Sequence, residues 1–326
     1  MRYVFDSSSV DVSDPIGQHH DLYAGGTDVR QAGPRFRARI EVCRLAPLVV
    51  FDRRLDDVLH ERTIDGARRD GFSHFTLQLV VSGRMRIEHP GGQAEAGPGE
   101  IVLFDLTRPQ RTLAQDARIL TFAVPRHLME RATIHVTALH GTVLGPQQSG
   151  LLADIMMSIV SRRLDEAGTD PASVVRIFET ALALALRFDR DAADPPIDTP
   201  AMLDRVRVVV EAHLGRRELT PALVAKLAGV SRTQLYAAFK PVGGVSRYIQ
   251  ERRVTRLRSL LQSPENQGSS IAQLAFQAGF ASASHANRSF CEVYGTTPGR
   301  FRLAQDKPLP SEAGQPPFYH WLRGLN

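Results

Sequence analysis

Val224-Ala225-Lys226-Leu227-Ala228-Gly229-Val230 returns fifty residues later as Leu274-Ala275-Phe276-Gln277-Ala278-Gly279-Phe280. In each copy an alanine-centred apolar helix, close-packed against a neighbour, ends at a glycine that suits a tight turn with positive φ. Thr220-Pro221 opens the first copy and Ser270 the second, each placing a side-chain oxygen at the N-cap, with proline at N1 in the first. Beyond each glycine a second serine, Ser231 or Ser282, caps a following helix expected over about 232–240 and 283–294. Each of these carries a core aromatic, Phe239 or Phe290. Helix, small-residue turn and a second helix with a polar, basic outer face is the helix-turn-helix pattern, whose second helix lies in the DNA major groove. One such corner is common in helical proteins; two copies at a fixed spacing are far more specific.

Working outward, residues 245–261 read as one amphipathic helix between the copies. Ile249, Val254, Leu257, Leu260 and Leu261 face the two small bundles, and Arg247, Arg252, Arg253, Arg256 and Arg258 are expected to stay solvated or to touch phosphate. Such a rod, about 25 Å long, would set two recognition helices one DNA turn apart, about 34 Å. The charge agrees with a polyanionic partner. Residues 201–305 hold 15 Lys and Arg against 6 Asp and Glu, whereas residues 1–200 hold 23 against 27. An asymmetry of this kind points to nucleic acid or a membrane surface. No apolar run is long enough to span a bilayer, and Met1–Val10 lacks the apolar segment of a signal peptide. With two cysteines far apart, Cys43 and Cys291, a disulfide scaffold is excluded and a reducing cytoplasmic setting is expected. Cys291 reads as a half-buried structural thiol.

The first half has another rhythm. Short strands are expected over 38–45, 48–53, 75–81, 84–89, 100–105 and 119–124, punctuated by Ser82-Gly83, Pro90-Gly91-Gly92 and Gly97-Pro98-Gly99. That spacing suggests a sandwich or small barrel. Apolar residues then recur at helical spacing over 149–165 and 171–189, an antiparallel hairpin that packs on the barrel or offers a stripe for dimerisation. The resulting layout is an N-terminal arm (1–36), a barrel domain (37–190), a Pro- and acid-rich linker (191–200), a helical domain (201–305) and a tail (306–326) that carries Trp321, the only tryptophan.

Residues 203–302 resemble the AraC/XylS family of bacterial transcription regulators. The resemblance rests on LAGVSRTQLYAAFKPVGGVSRYIQERRVTRLRSLL (227–261) and SIAQLAFQAGFASASHANRSFCEVYGTTPGRFR (270–302), above all on GF, then SHxxRxF, then GTTPGRFR. GPGEIVLFDLTRPQR (97–111) carries a weaker match to the sensor domain of one branch of that family. The resemblance implies an α+β multidomain chain: a cupin-like β-barrel with a helical hairpin, then an all-α domain with two helix-turn-helix motifs. It further implies a homodimeric activator that binds double-stranded promoter DNA and a small organic effector and acts on RNA polymerase, with no cofactor and no membrane. By position, the first recognition helix would present Arg232, Thr233, Tyr236 and Lys240, and the second Ala283, Ser284, Asn287 and Arg288. Arg288 is the leading base contact, since guanidinium to guanine O6/N7 is the commonest specific pair. Two positions depart from the family: Ala237 replaces an arginine, which weighs against base reading by the first helix, and Ala286 replaces a phenylalanine, which implies local repacking.

Cupin-like barrels can also be metal enzymes, and helix pairs can bind protein instead of DNA. A metal cupin needs two histidines one residue apart; no HxH occurs here, and the adjacent His19-His20 cannot serve in its place. Nucleophile and phosphate-loop motifs are absent as well. The remaining expectation is a barrel holding one small ligand. His74, Arg84 and Arg86 would supply a polar handle for an anionic or aromatic effector, while Phe104 and Phe122 read as core. Along 75–81 either Phe75, Leu77 and Leu79 or the alternate set faces inward.

Overall fold

The computed structural model describes residues 2–9, 13–23, 26–133, 136–165, 168, 170–186, 199–240, 243–305, 316 and 318–325. They fall into two units, Met1–Arg190 with Pro308–Asn326, and Asp191–Lys307.

The first unit runs β1 (Arg2–Asp6), α1 (Pro15–Asp21), β2 (Asp28–Gln31), β3 (Arg37–Leu45), β4 (Leu48–Asp56), β5 (Val58–Arg62), α2 (Ile64–Asp70), β6 (Phe75–His89), β7 (Gly92–Ala96), β8 (Ile101–Asp105), β9 (Gln110–Val124), α3 (Arg126–Ala132), β10 (Thr142–Leu144), α4 (Pro146–Ser161) and α5 (Pro171–Ala185). The sheet order is β1-β3-β4-β9-β6-β8-β10, with β5 and β2 continuing from one end of β9 and β7 from β6. Every pairing is antiparallel. The long pair β6–β9 is the spine: β9 gives residues 117–123 to β4 and residues 110–114 to β5, so the sheet curls around an interior. β6 is a single strand running through Ser82-Gly83, where a break was expected. The register shifts there and Gly83 has φ 74°, a bulge that bends the strand while keeping it paired.

The stretch expected as an N-terminal arm (1–36) contributes two strands to the sheet. β1 pairs with β3 and β2 with β5, and Phe5, Leu22 and Val29 are buried. Edge strands draw their order from neighbours' backbone groups, so few apolar side chains announce them.

Alternation sorts the side chains of β6. Phe75, Leu77 and Leu79 lie on the outer face with Leu103, Phe122 and Val124, under α3, α4 and α5. Thr76, Gln78 and Val80 belong to the inner set. Phe104 and Phe122 are both core, and Phe122 stacks on Phe178 of α5 at 5.4 Å. Fully burying a side chain such as Phe178 contributes about 1.5–3 kcal/mol, which is what ties the hairpin to the sheet.

The second unit comprises α6 (Thr199–His213), α7 (Pro221–Ala228), α8 (Arg232–Phe239), α9 (Val245–Gln262), α10 (Ile271–Gln277), α11 (Ala283–Tyr294) and α12 (Pro298–Gln305). Most of the expected linker, residues 191–198, lies outside the described residues, and Thr199-Pro200 already belong to α6. The tail residues 306–315 also lie outside them, but α13 (Phe318–Arg323) packs on the barrel against β3 and β4. No helix of the described residues is long and apolar enough to cross a membrane.

Candidate nucleic-acid interface and internal cavity

The caps read from sequence are the hydrogen-bonded caps of the helical unit. Thr220 accepts from Leu223 N at 3.3 Å, Ser231 from Gln234 N at 3.1 Å, Ser270 from Gln273 N at 3.2 Å and Ser282 from His285 N at 3.2 Å. Ser231 and Ser270 form full capping boxes with Gln234 and Gln273, a return bond that the S-x-x-Q spacing already encodes. Gly279 is fixed twice over: its φ is 95°, and a Cβ there would stand 2.1 Å from the carbonyl oxygen of Leu214.

α9 is the common beam, packing against α8 on one side and α10, α11 and α12 on the other. Ile249, Val254, Leu257 and Leu261 are its buried stripe. Its arginines are not a solvated row. Only Arg247 is exposed, and it pairs with Glu251. Arg252 pairs with Glu211 at 2.6 Å, and Arg253 donates to the carbonyls of Leu214 and Arg216. Arg258 is buried over the rings of Tyr294 and Phe301. Guanidinium groups can clamp neighbouring carbonyls and stack on rings as well as meet phosphate, so basic residues on an amphipathic helix need not be ligand contacts.

On α8, Leu235 and Phe239 point inward while Arg232, Thr233 and Tyr236 are exposed; Lys240, at the C-cap, is exposed too. On α11, Ala286, Ser289, Phe290 and Tyr294 are buried, and Ser284, Asn287 and Arg288 form the exposed face with Ala283 half-buried beside them. Ser289 accepts from Gln250 Nε2 of α9 at 2.7 Å, which fixes the rotation of α11. Ala286 is fully buried with Phe280 and Phe290, so the smaller residue is absorbed by closer packing. Ala237 is exposed, leaving α8 without an arginine at that position. Cys291 is half-buried.

The barrel interior holds a cavity of about 110 Å³. Its apolar walls include Ile40, Phe51, Phe72 and Leu106, and α13 contributes Phe318, Tyr319 and Leu322. Its polar lining includes Arg53 of β4, His60 and Arg62 of β5, Thr76 and Gln78 of β6, and Gln110, Thr112 and Thr121 of β9, joined by Tyr23, Thr27 and, from α2, Asp70. His74 lines it as expected from sequence. Arg84 and Arg86 do not: both are exposed and lie near Glu95. The strand explains why, because at about 3.3 Å per residue ten positions put Arg84 roughly 33 Å of chain beyond His74, past the bulge at Ser82-Gly83. Arg53 was missed. Its signal was an arginine in phase with Val49 and Phe51 on an alternating strand, matched by the polar alternates Thr76 and Gln78 in an otherwise apolar run.

Two histidines at or beside this chamber, His19 and His60, are held neutral. Burial pushes His19 down to about 3, with the Arg53 cation acting in the same direction. His60, which shares a hydrogen bond of 2.9 Å with the Tyr23 hydroxyl, is held well below its ordinary value by burial, then by His19 and Arg53. On the barrel's other flank, burial takes His140 to about 4. An unfolded chain would take up these protons near pH 6.5, so on acidification it binds more protons than the native one. Barrel stability is therefore complete above about pH 6.5 and falls progressively below it, with His19 continuing to lose stability down to about pH 3. Between pH 7 and 5, His19 and His140 are each expected to cost up to about 2 kcal/mol. Urea melts followed by Trp321 fluorescence at both pH values would check this; an unchanged midpoint would contradict it. No group of three or more His, Cys, Asp or Glu is placed to hold a metal among the described residues.

Comparison with known proteins joins the two units. Residues 22–208 match the AraC-binding-like domain and residues 224–304 a helix-turn-helix domain. The transcriptional activator NphR of Rhodococcus sp is 26% identical over 245 residues, 72% of this chain and 71% of its own. The HTH-type transcriptional regulator GlxA of Rhizobium meliloti (strain 1021) is 28% identical over 156 residues, 46% of this chain and 45% of its own. Among solved structures, the AraC-like transcriptional activator CuxR superposes with a TM-score of 0.53 at 22% identity, covering 85% of this chain and 100% of its own, and so shares the fold. With its barrel and its paired helix-turn-helix unit both matched, the chain belongs to the AraC family of DNA-binding transcription regulators with an N-terminal ligand-binding domain.

Proposed function

We propose that the protein is an effector-responsive activator that acts in the cytoplasm and places α8 and α11 in successive major-groove segments of promoter DNA. The observation that carries this reading is the pair of exposed polar faces, Arg232, Thr233, Tyr236 and Lys240 on one side and Ser284, Asn287 and Arg288 on the other, braced on α9. Base reading is assigned mainly to Arg288 and Asn287, and phosphate anchoring to Arg232 and Lys240. The barrel cavity is the effector site, and its role is binding without catalysis. Homodimerisation is assigned to the α4–α5 hairpin, which exposes Leu151, Ile177 and Leu184 on the side away from the sheet. Activation follows from a dimer that presents RNA polymerase with a surface whose placement on DNA depends on effector. That coupling requires the effector to bind one arrangement more tightly than the other.

The test titrates the full chain and Arg288→Ala against DNA from upstream of its own gene, at two salt concentrations. Loss of a bidentate guanine contact is expected to cost about 1–3 kcal/mol at the cognate site, with little change on unrelated DNA. Binding should weaken steeply with salt in both proteins. Equal losses on all sequences would reassign Arg288 to phosphate, and absence of salt-sensitive DNA binding would return the helical unit to protein interaction.

A further inference from the structure

The cavity's two arginines are in opposite electrostatic conditions. Arg62 is saturated: it is bidentate to Asp70 at 2.6 and 2.8 Å, and its remaining N–H groups go to the carbonyl oxygens of Gly26 and Leu106. Arg53 is also buried, 8% exposed against 3% for Arg62, but its partners are neutral. Its Nη2 donates to Gln78 Oε1 at 2.9 Å and Thr121 Oγ1 at 2.6 Å, and its Nε is buried without a partner. No carboxylate of the described residues pairs with it. Guanidinium does not give up its proton in a protein, so one whole positive charge stands in a chamber walled by Ile40, Phe51, Phe72, Leu106, Phe318 and Leu322. An uncompensated buried cation is costly; a bound anion removes the cost and gains charge-assisted hydrogen bonds. His19 and His60 are neutral and do not add to that charge. At about 110 Å³ the space is smaller than the apolar cavity of roughly 150 Å³ that takes up benzene, so it suits a short chain and not a ring that also bears a carboxylate.

We propose that the effector is a small organic monocarboxylate with one compact apolar body, a short linear or branched chain, whose carboxylate pairs with Arg53 while Gln78 and Thr121 hold the guanidinium in place. This rests on the reading of the cavity as the effector site, and the experiment separates the two. Full-length protein is titrated calorimetrically with matched pairs, propionate against propionamide and isobutyrate against isobutyramide. A carboxylate is expected to bind at least about 10-fold more tightly than its amide, the worth of a hydrogen bond to charge. Arg53→Gln should erase that preference and Arg53→Lys should retain part of it. Should Arg53→Gln not fold, the acid-to-amide ratio in wild type and Arg53→Lys still decides. Amides binding as well as acids, with Thr76→Phe blocking both, would overturn the anion assignment and leave the cavity reading intact. No binding of any probe to wild type would overturn both.

Discussion

Asp70→Asn is expected to destabilise the barrel unit by about 3–5 kcal/mol, the usual cost of removing one partner from a buried ion pair. Asp70 and Arg62 have side chains 1% and 2% exposed, and the carboxylate also accepts from Phe72 N at 3.0 Å. Without its charge, Arg62 remains buried in a site whose other partners are only carbonyls. The measurement is a urea melt followed by Trp321, which packs on the barrel core with α13 and so reports on this unit. The helical unit's transition should not move. Asp52→Asn is the control, because its pair with Arg118 is partly exposed (20% and 28%) and is worth about 1 kcal/mol or less. Equal, small losses in the two variants would refute the argument. Replacing both partners, Arg62→Met with Asp70→Leu, should recover most of the stability, since it is the orphaned charge that costs.

Tyr319→Ala is expected to undock α13. A helix of six residues has no stability of its own in water, so its order comes from what it buries. Phe318, Tyr319, Leu322 and Leu325 are all buried, with Phe318 edge-on to Tyr3 and Phe51 and Tyr319 tilted on Phe72 at 5.4 Å. Truncating a buried aromatic to alanine costs about 3–5 kcal/mol. That loss falls on a local docking equilibrium before it reaches the whole barrel. Trp321 emission should shift to the red and the C-terminal segment should become sensitive to protease, while strand content is retained. Unchanged emission would show that α13 is held by something other than these rings.

How much of this was legible depended on whether the signal was local. Caps and turns are local, so Ser231, Ser270, Ser282 and the two repeat glycines could be placed from the letters alone, whereas the residues of the recognition faces came from the family resemblance. The cavity is a product of register. Thr76 and Gln78 meet Arg53 and Thr121 only because β6, β9 and β4 lie side by side at one offset, and nothing within any single strand states that offset. The run over 75–81 is buried almost throughout, helices covering one face and the barrel interior the other, so apolarity did not tell inside from outside. Arg84 and Arg86 were close to His74 in sequence, but an extended strand turns ten residues into a long distance. The strands β1 and β2 were missed because paired edge strands gain their order from other chain segments.

The docked position of α13 has a consequence for synthesis. The last element of the hairpin, α5, ends at Ala185, and α13 begins at Phe318 after the helical unit has been made. At 5–20 residues per second, the roughly 130 residues between them take some 7 to 27 s to emerge. Throughout that interval the nascent barrel lacks the wall formed by Phe318, Tyr319 and Leu322. The recognition helices are therefore translated, and free to fold, before the chamber can close, and a ribosome that stalls between the two leaves a DNA reader attached to an open sensor.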